Sequence, residues 1–598
     1  MAFTPPPAFT TRPTLQGTFG MSASTHWLAT AAAQAVLERG GNAFDAAAAG
    51  AFVLHVVEPH LNGPGGDLVA LFATADDPTP VVLSGQGPAP VGATREHYLA
   101  EGLELVPGSG ALAAAVPGAV DAWLLLLKDH GTWELADVLA FAIGYAEGGH
   151  PVLERVCATI ERVAPLFAEH WPTSAERWMP GGRIPEPGEL IVDPAYARVL
   201  RGLIAAGDGA ASREERIEAA RTEWATGFVA RAVEEFVRTP HRHSDGGDHA
   251  GVIAASDFAG YRASYESAVT LEFRGHTIAK TAAWSQGPAL LATLAILDGF
   301  DDDRLDPSTE LGAHTVLEAQ KLAYADRDAY FGDDDVPLST LLSPAYAAER
   351  RALIGDRASA EFRPGVLPGR EPFTPPLRTA YTPPSGVAAE GVGEPTVSRT
   401  GETRGDTCHI DVVDRWGNIV SATPSGGWLQ SSPTIPELGF CLGTRLQMTW
   451  LEEGSASTLT AGHRPRTTLT PTLVLRDGVP VTALGSPGGD QQDQWQLLYL
   501  LRTIVGGYSP QQAVDAPALH TTSIAESFWP RTWVPAGAVV EDRLGDGVIA
   551  GLEARGHRVT RAGEWTLGRL SSVGRDPQTG VLSAAANPRG QQGYAAGR

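Results

Sequence analysis

The stretch Gly405-Asp406-Thr407-Cys408-His409-Ile410-Asp411-Val412-Val413-Asp414 constrains the fold of this chain more than any other. Ile410, Val412 and Val413 suit a buried strand. Asp414-Arg415-Trp416-Gly417-Asn418 reads as a hairpin turn into a second strand, Ile419-Val420-Ser421-Ala422-Thr423. Upstream, from Phe362 to Thr403, Pro, Gly, Thr and Glu displace apolar residues, which predicts a mobile connector. A threonine heading a buried strand behind a flexible tether is a place where a chain can cut itself. The cut would leave Thr407 as a new N-terminus, with its hydroxyl as nucleophile and its own amine nearby as base. The same pattern also fits one more strand after a loop.

The remaining composition narrows the partners. A net charge of -24 argues against a nucleic-acid partner, which would need a basic face, but leaves room for a local basic pocket. Cys157, Cys408 and Cys441 are odd in number and widely spaced, so no disulfide framework is expected and a reducing compartment is favoured. The opening Met1-Ala2-Phe3-Thr4-Pro5-Pro6-Pro7 lacks a basic segment followed by an apolar run, so no signal peptide is expected. The most apolar segments, 46–57 and 289–297, are too short to span a bilayer. A cytoplasmic protein without a membrane partner is the expectation. With 598 residues the chain has length for a large core, about three to four domains at a typical size.

Along the chain, Ser24 to Val57 is Ala-rich and reads as helix, broken at Gly40-Gly41-Asn42. Glu58 to Asp67 is a Gly/Pro-rich loop into a strand, Leu68 to Phe72. It is no phosphate loop, because no Gly-Lys-Ser/Thr follows. Val81-Val82-Leu83 is a further strand, Gly131 to Tyr261 reads as helices with loops, and Thr315 to Arg327 is a helix. His241, His243, Asp245, Asp248 and His249 have metal-ligand chemistry. Their Gly-rich, polar surroundings predict instead a solvated loop without a metal. No cofactor is implied. Residues 407–598 alternate β-like runs with turns.

Several motifs, in common order over nearly the whole chain, resemble the γ-glutamyltranspeptidases, which are N-terminal nucleophile hydrolases. They are Gly40-Gly41-Asn42-Ala43-Phe44-Asp45-Ala46-Ala47, Val57-Glu58-Pro59-His60, Val116-Pro117-Gly118, Glu318 to Arg327, Asp406-Thr407-Cys408-His409, Arg464 to Thr472, and Gly485-Ser486-Pro487-Gly488-Gly489. The resemblance implies an α+β, four-layer αββα sandwich made from one precursor. A large subunit, 1–406, would include the tether 362–406, and a small subunit, 407–598, would begin at the nucleophile. It further implies scission between Asp406 and Thr407, and an oxyanion hole from the Gly488 and Gly489 amides. Ser425 would supply a second hydroxyl that hydrogen-bonds the nucleophile. Higher assembly is left open.

The departures from the family fall in its glutamyl clamp. Its Arg-Glu-x-Ala-Pro motif, whose arginine holds the substrate carboxylate, is matched by Gln86-Gly87-Pro88-Ala89-Pro90. The clamp asparagine aligns with Gly427 and the clamp aspartate near Met448, whereas Thr467 and Thr468 replace two serines conservatively. Unpaired charged ends cost several kcal/mol, so the implied activity is an amidohydrolase or acylase on a small, carboxylate-bearing amide. Oxamate amidohydrolases and cephalosporin (glutaryl) acylases are members of that kind. Arg445 would hold the carboxylate or else be a surface arginine. Two alternatives stand beside this reading: a true γ-glutamyl hydrolase/transpeptidase using other residues, and an uncleaved, inactive binding or scaffold protein. A Gly-x-Ser-x-Gly serine hydrolase is disfavoured, because Leu484-Gly485-Ser486-Pro487-Gly488 lacks the first glycine and its proline would stop the helix that should follow.

Overall fold

The computed structural model describes residues 3–381 and 407–598. Two antiparallel, seven-stranded sheets form its centre. One runs Leu15–Gly17, Leu582–Ala586, Ser571–Arg575, Val479–Gly485, Thr472–Arg476, His276–Lys280, Val269–Phe273. The other runs Tyr594–Gly597, Gly20–Ser24, Ile410–Asp414, Ile419–Ser425, Asp67–Ala73, Val81–Gly85, Ser264–Ser267. Met21, Val69, Leu71 and Val413 of the second sheet pack against Leu473, Leu475, Ala483 and Val573 of the first, in one apolar layer between them. Helices Trp27–Glu38, Ala43–Val57, Ala119–His130 and Leu135–Gly148 cover the outer face of the second sheet. Helices Gly287–Leu297, Glu310–Tyr330, Gln492–Leu500 and Asp546–Ala554 cover that of the first. The layering is αββα.

Period-two alternation decides which way Thr407 faces. Cys408, Ile410 and Val412 enter the helix-side core, whereas Val413 enters the core between the sheets. Thr407, His409 and Asp411 share the Val413 face. There the buried His409 ring bridges Asp411 (Nε2 to Oδ1, 2.8 Å) and Thr423 (Nδ1 to Oγ1, 2.9 Å). Asp411 also accepts from Ser421 Oγ at 2.8 Å and Ser571 Oγ at 2.9 Å. With every polar member partnered, this network can sit in a dry layer at low cost. A Cβ at Gly485 on the facing sheet would overlap the His409 ring. Gly485→Ala is therefore expected to lose roughly 1–3 kcal/mol of stability by overpacking, read as a lower denaturant midpoint.

The Ala-rich segment forms two helices, Trp27–Glu38 and Ala43–Val57, preceded by a strand, Gly20–Ser24, where the pattern predicted helix from Ser24. Asn42 and Asp45 make a capping box at the start of the second helix. That helix lies so close to strand Ile410–Asp414 that a Cβ on Gly50 would be 2.5 Å from Ile410 Cδ1. The 407–598 region also holds helices that β-like alternation did not predict. Gln492–Leu500 is one, buried on every side, so its sequence carries no amphipathic period.

Part of the predicted connector is docked. Leu367 is buried among Tyr324, Tyr330 and Tyr346, and the rings of Phe373 and Tyr381 pack on Trp450 and Trp529. A few large apolar residues suffice to hold a Pro-rich strand of chain down. Residues 382–406 lie outside the described residues.

The His/Asp cluster is likewise folded rather than solvated. His241–Arg242 pairs with Asp248–His249 as a hairpin, and His243 and His249 are buried. The amide of Ala111 donates to His241 Nε2 at 3.1 Å and that of Leu112 to His243 Nε2 at 3.0 Å. The histidines thus serve as hydrogen-bond acceptors for the turn 110–113. His249 sits between Asp245 (2.9 Å) and Glu101 (2.8 Å). The hydrogen bond to Asp245, followed by that to Glu101, raises its pKa above the ordinary value near 6.5. A raised folded-state pKa stabilises fully below about pH 6.5 and is lost as pH rises through the folded-state value. The melting temperature is expected to fall from pH 6 toward pH 9, and His249→Gln to flatten that slope.

Candidate functional site

Backbone register brings the candidate residues into one row. Thr407 and Ser425 are bridge partners, with their hydroxyl oxygens 3.2 Å apart. Ser425 pairs with Asp67 on the next strand. Leu68 pairs with Gly85 on the strand after that, so Gln86 follows in register beside Asp67. Residues directly opposed across strands face the same side. Thr407, Ser425, Asp67 and Gln86 therefore line one end of the sheet. At about 4.8 Å per strand, Asp67 lies on the order of 10 Å from Thr407.

Arg445 meets this row from the short turn Arg445–Met448. Its Nε donates to Asp67 Oδ2 at 2.5 Å and its Nη2 to Asp67 Oδ1 at 2.8 Å, a bidentate pair with both side chains buried. Among the described residues, Nη1 faces Met448 Sδ, a weak acceptor, at 3.6 Å. Gly65, Asp67, Gln86, Trp428, Arg445 and Gln447 line a small, narrow pocket. Gln86 donates its amide to the Gly87 carbonyl at 3.0 Å, and among the described residues its buried Oε1 has no hydrogen-bond partner. Arg445 is thus no surface residue. Asp67 was missed by sequence reasoning. Its only signal was an acid closing a Gly-rich loop, and its partner is distant in sequence.

The facing sheet supplies a turn. Strand Val479–Gly485 ends in Ser486-Pro487-Gly488-Gly489, with φ of +132° at Gly488 and +51° at Gly489. A Cβ on Gly488 would overlap the Trp495 ring, so only glycine fits. Thr467 donates its amide to the Trp284 carbonyl at 2.9 Å and accepts from the Gln286 amide at 3.0 Å. Thr468 Oγ1 is buried, with no hydrogen-bond partner among the described residues. The Gln492 amide, oriented to satisfy its neighbours, ties the Thr468 carbonyl (3.1 Å) to that of Ser486 (3.2 Å). Neither threonine lines the Arg445 pocket. Where the resemblance aligns clamp residues, Gly427 has a left-handed φ of +69° and Met448 packs with Trp428 and Phe528. Cys408 donates its thiol to Glu58 at 2.9 Å. Burial, with the Glu58 carboxylate alongside, pushes its pKa well up, so it is an inert packing residue. Asp406 lies outside the described residues.

Among the described residues one trio, His314, Glu318 and His557, gathers ligand-type atoms within 4.8 Å. Several of its ligand-type atoms are already engaged within the protein. Glu318 carries Lys321 and Arg363, His314 Nδ1 shares a hydrogen bond with His557 Nε2 at 2.9 Å, and His314 Nε2 pairs with the Gly355 carbonyl at 2.9 Å. Among the described residues, no helix is long and apolar enough to cross a membrane.

Two sheets stacked between helical layers, with a threonine heading an inner strand, define the N-terminal nucleophile hydrolase class. A family model described as Gamma-glutamyltranspeptidase matches residues 29–597, and the chain belongs to that family. It is 31% identical over 584 residues to a glutathione hydrolase-like YwrD proenzyme of Bacillus subtilis (strain 168), covering 96% of this chain and 98% of that one. It is 30% identical to an oxamate amidohydrolase proenzyme of Klebsiella pneumoniae, covering 97% and 98%. A solved structure titled LmbA2991HD is 54% identical, with a TM-score of 0.93 over 99% of this chain and 100% of that one. The chain is an enzyme of the amidohydrolase/acyltransferase kind.

Proposed function

We propose that this protein is a self-processing, N-terminal-threonine amidohydrolase acting on a small amide whose acyl group carries a carboxylate. The observation that carries the reading is the Arg445–Asp67 pair. It sits in the pocket at the end of the Thr407 row, with one guanidinium nitrogen turned away from its aspartate. Asp67 would orient the fork, and Nη1 would take the substrate carboxylate. Gln86, where the family's clamp arginine would stand, offers an amide in place of that charge.

In maturation the Thr407 hydroxyl would attack the Asp406 carbonyl. The peptide C–N bond breaks, the nitrogen takes the hydroxyl proton, and an ester forms that water hydrolyses. In turnover the same oxygen would attack the substrate carbonyl. The Thr407 amine, whose ordinary pKa is about 7.7–8.0, would take the proton directly or through a water and pass it to the leaving nitrogen. Ser425 would hydrogen-bond the nucleophile, and the Gly488 and Gly489 amides would stabilise the oxyanion. Water, or an amine acceptor, then takes the acyl group. One named relative, the oxamate amidohydrolase, supports a carboxylate-bearing substrate, since oxamate carries its carboxylate on the amide carbonyl carbon.

The test is turnover of oxamate, glutaryl-p-nitroanilide and γ-glutamyl-p-nitroanilide by the matured protein. Faster turnover of either of the first two supports the reading. Strong preference for the γ-glutamyl substrate would mean a true γ-glutamyl hydrolase/transpeptidase.

A further inference from the structure

We infer that Arg327, with Tyr324 and Gln286, is a positioning device that holds the Gly488–Gly489 turn in its working geometry. The inference rests on the reading of that turn as the oxyanion hole. Helix Glu310–Tyr330 presents Tyr324 and Arg327 on one face toward the turn and the residues after it. Tyr324 Oη donates to the Asp490 carbonyl at 2.8 Å. Gln286 Nε2 donates to the Gly489 carbonyl at 3.2 Å. Both backbone carbonyls that follow the turn are thereby pulled toward the helix layer. Outside helices and strands, and among the described residues, the amides of Gly488 and Gly489 donate to no backbone carbonyl.

Arg327 locks the two grips together. Its Nη1 donates to Gln286 Oε1 at 3.0 Å and to the Asp490 carboxylate. Nη2 donates to the Ala525 carbonyl at 3.0 Å and pairs with Asp328 at 2.8 Å, and Nε donates to Asp328 at 2.9 Å. All five guanidinium N–H groups are used, and the side chain is fully buried. Asp490 in turn accepts from the amide (2.8 Å) and hydroxyl (2.6 Å) of Ser527. A network saturated in this way has one low-energy arrangement, and an oxyanion hole works only if its donors are held there beforehand. A lysine cannot reproduce a five-donor fork.

A consequence concerns the bond before Thr407. The grips come from residues upstream of it and the gripped turn lies downstream. The downstream half of the site is therefore shaped by residues on the upstream side of the proposed scissile bond.

The test uses full-length Tyr324→Phe and Gln286→Met, each removing hydrogen bonds with little change of shape, beside Gly488→Ala. Turnover is measured on whichever of the three amides is cleaved fastest. Amide hydrogen exchange of the 486–491 peptide is measured in parallel and needs no substrate. The inference expects kcat down about 10- to 100-fold in both clamp variants, KM within about twofold, and faster exchange confined to that peptide. Unchanged kcat and exchange in both, with Gly488→Ala impaired, would overturn the clamp and leave the oxyanion reading standing. Full activity in Gly488→Ala would overturn the oxyanion reading, and the clamp's purpose with it. Rescue separates shape from charge: Arg327→Ala should regain turnover with added guanidinium, and a soluble, folded Arg327→Lys should not regain it.

Discussion

Thr407→Ala is expected to give one full-length band on a denaturing gel and to lower turnover by about 10⁴-fold or more. Both effects follow from a single oxygen. The Thr407 hydroxyl is proposed to break the bond before it and then to carry the acyl group, and alanine leaves the strand intact while removing that oxygen. The substitution deletes one buried methyl and one hydroxyl beside Ser425, and the melting temperature should fall by only a few degrees. Thr407→Ser restores an oxygen at nearly the same place and is expected to recover cleavage, more slowly. N-terminal sequencing of the smaller wild-type fragment should read Thr-Cys-His. A fragment starting elsewhere in an active preparation, or an active Thr407→Ala, would defeat the proposed mechanism.

The second large effect is expected at Arg445. Arg445→Ala strands Asp67, a buried carboxylate, without its bidentate partner, which costs about 3–5 kcal/mol. Turnover of carboxylate-bearing amides should fall by about 100-fold or more, through the same lost charge. The two losses are separable. Replacing both partners by apolar residues of similar volume, Asp67→Leu with Arg445→Met, removes the stranded charge and is expected to recover most of the stability. It should recover none of the turnover, because no cation is left to meet the substrate. If the double variant regained activity, or if Arg445→Ala lowered stability alone, the pair would be scaffolding and the carboxylate would be held elsewhere.

What could be read in advance followed the form in which the chemistry is written. Thr407 and the Gly488–Gly489 turn stand in short contiguous motifs. Strand Ile410–Asp414 alternates cleanly between two cores, so spacing was enough to place the strand, whereas the roles proposed for Thr407 and the two glycines came from the family resemblance. Asp67 was not legible, because its meaning comes from register. Ser425 selects it across a sheet and Arg445 closes on it from a distant turn, and neither relation leaves a local pattern. Helix Gln492–Leu500 was missed for a related reason: buried on all sides, it has no polar face to mark its period. The 241–249 segment misled in the other direction. Its polar composition suggested solvent, yet its histidines spend their ring nitrogens on backbone amides and on Glu101 and Asp245.

The order of strands in the second sheet has a further consequence. Ile410–Asp414 is hydrogen-bonded between Gly20–Ser24 and Ile419–Ser425, and the latter lies against Asp67–Ala73. Upstream and downstream strands thus interleave within one ladder. Once the link before Thr407 is severed, no piece can leave without tearing backbone pairs on both flanks. The precursor would fold as one chain, but the mature molecule, once denatured, would have to reassemble from two, turning a first-order return into a collision. Its recovery after denaturation should then depend on concentration, whereas that of Thr407→Ala should not.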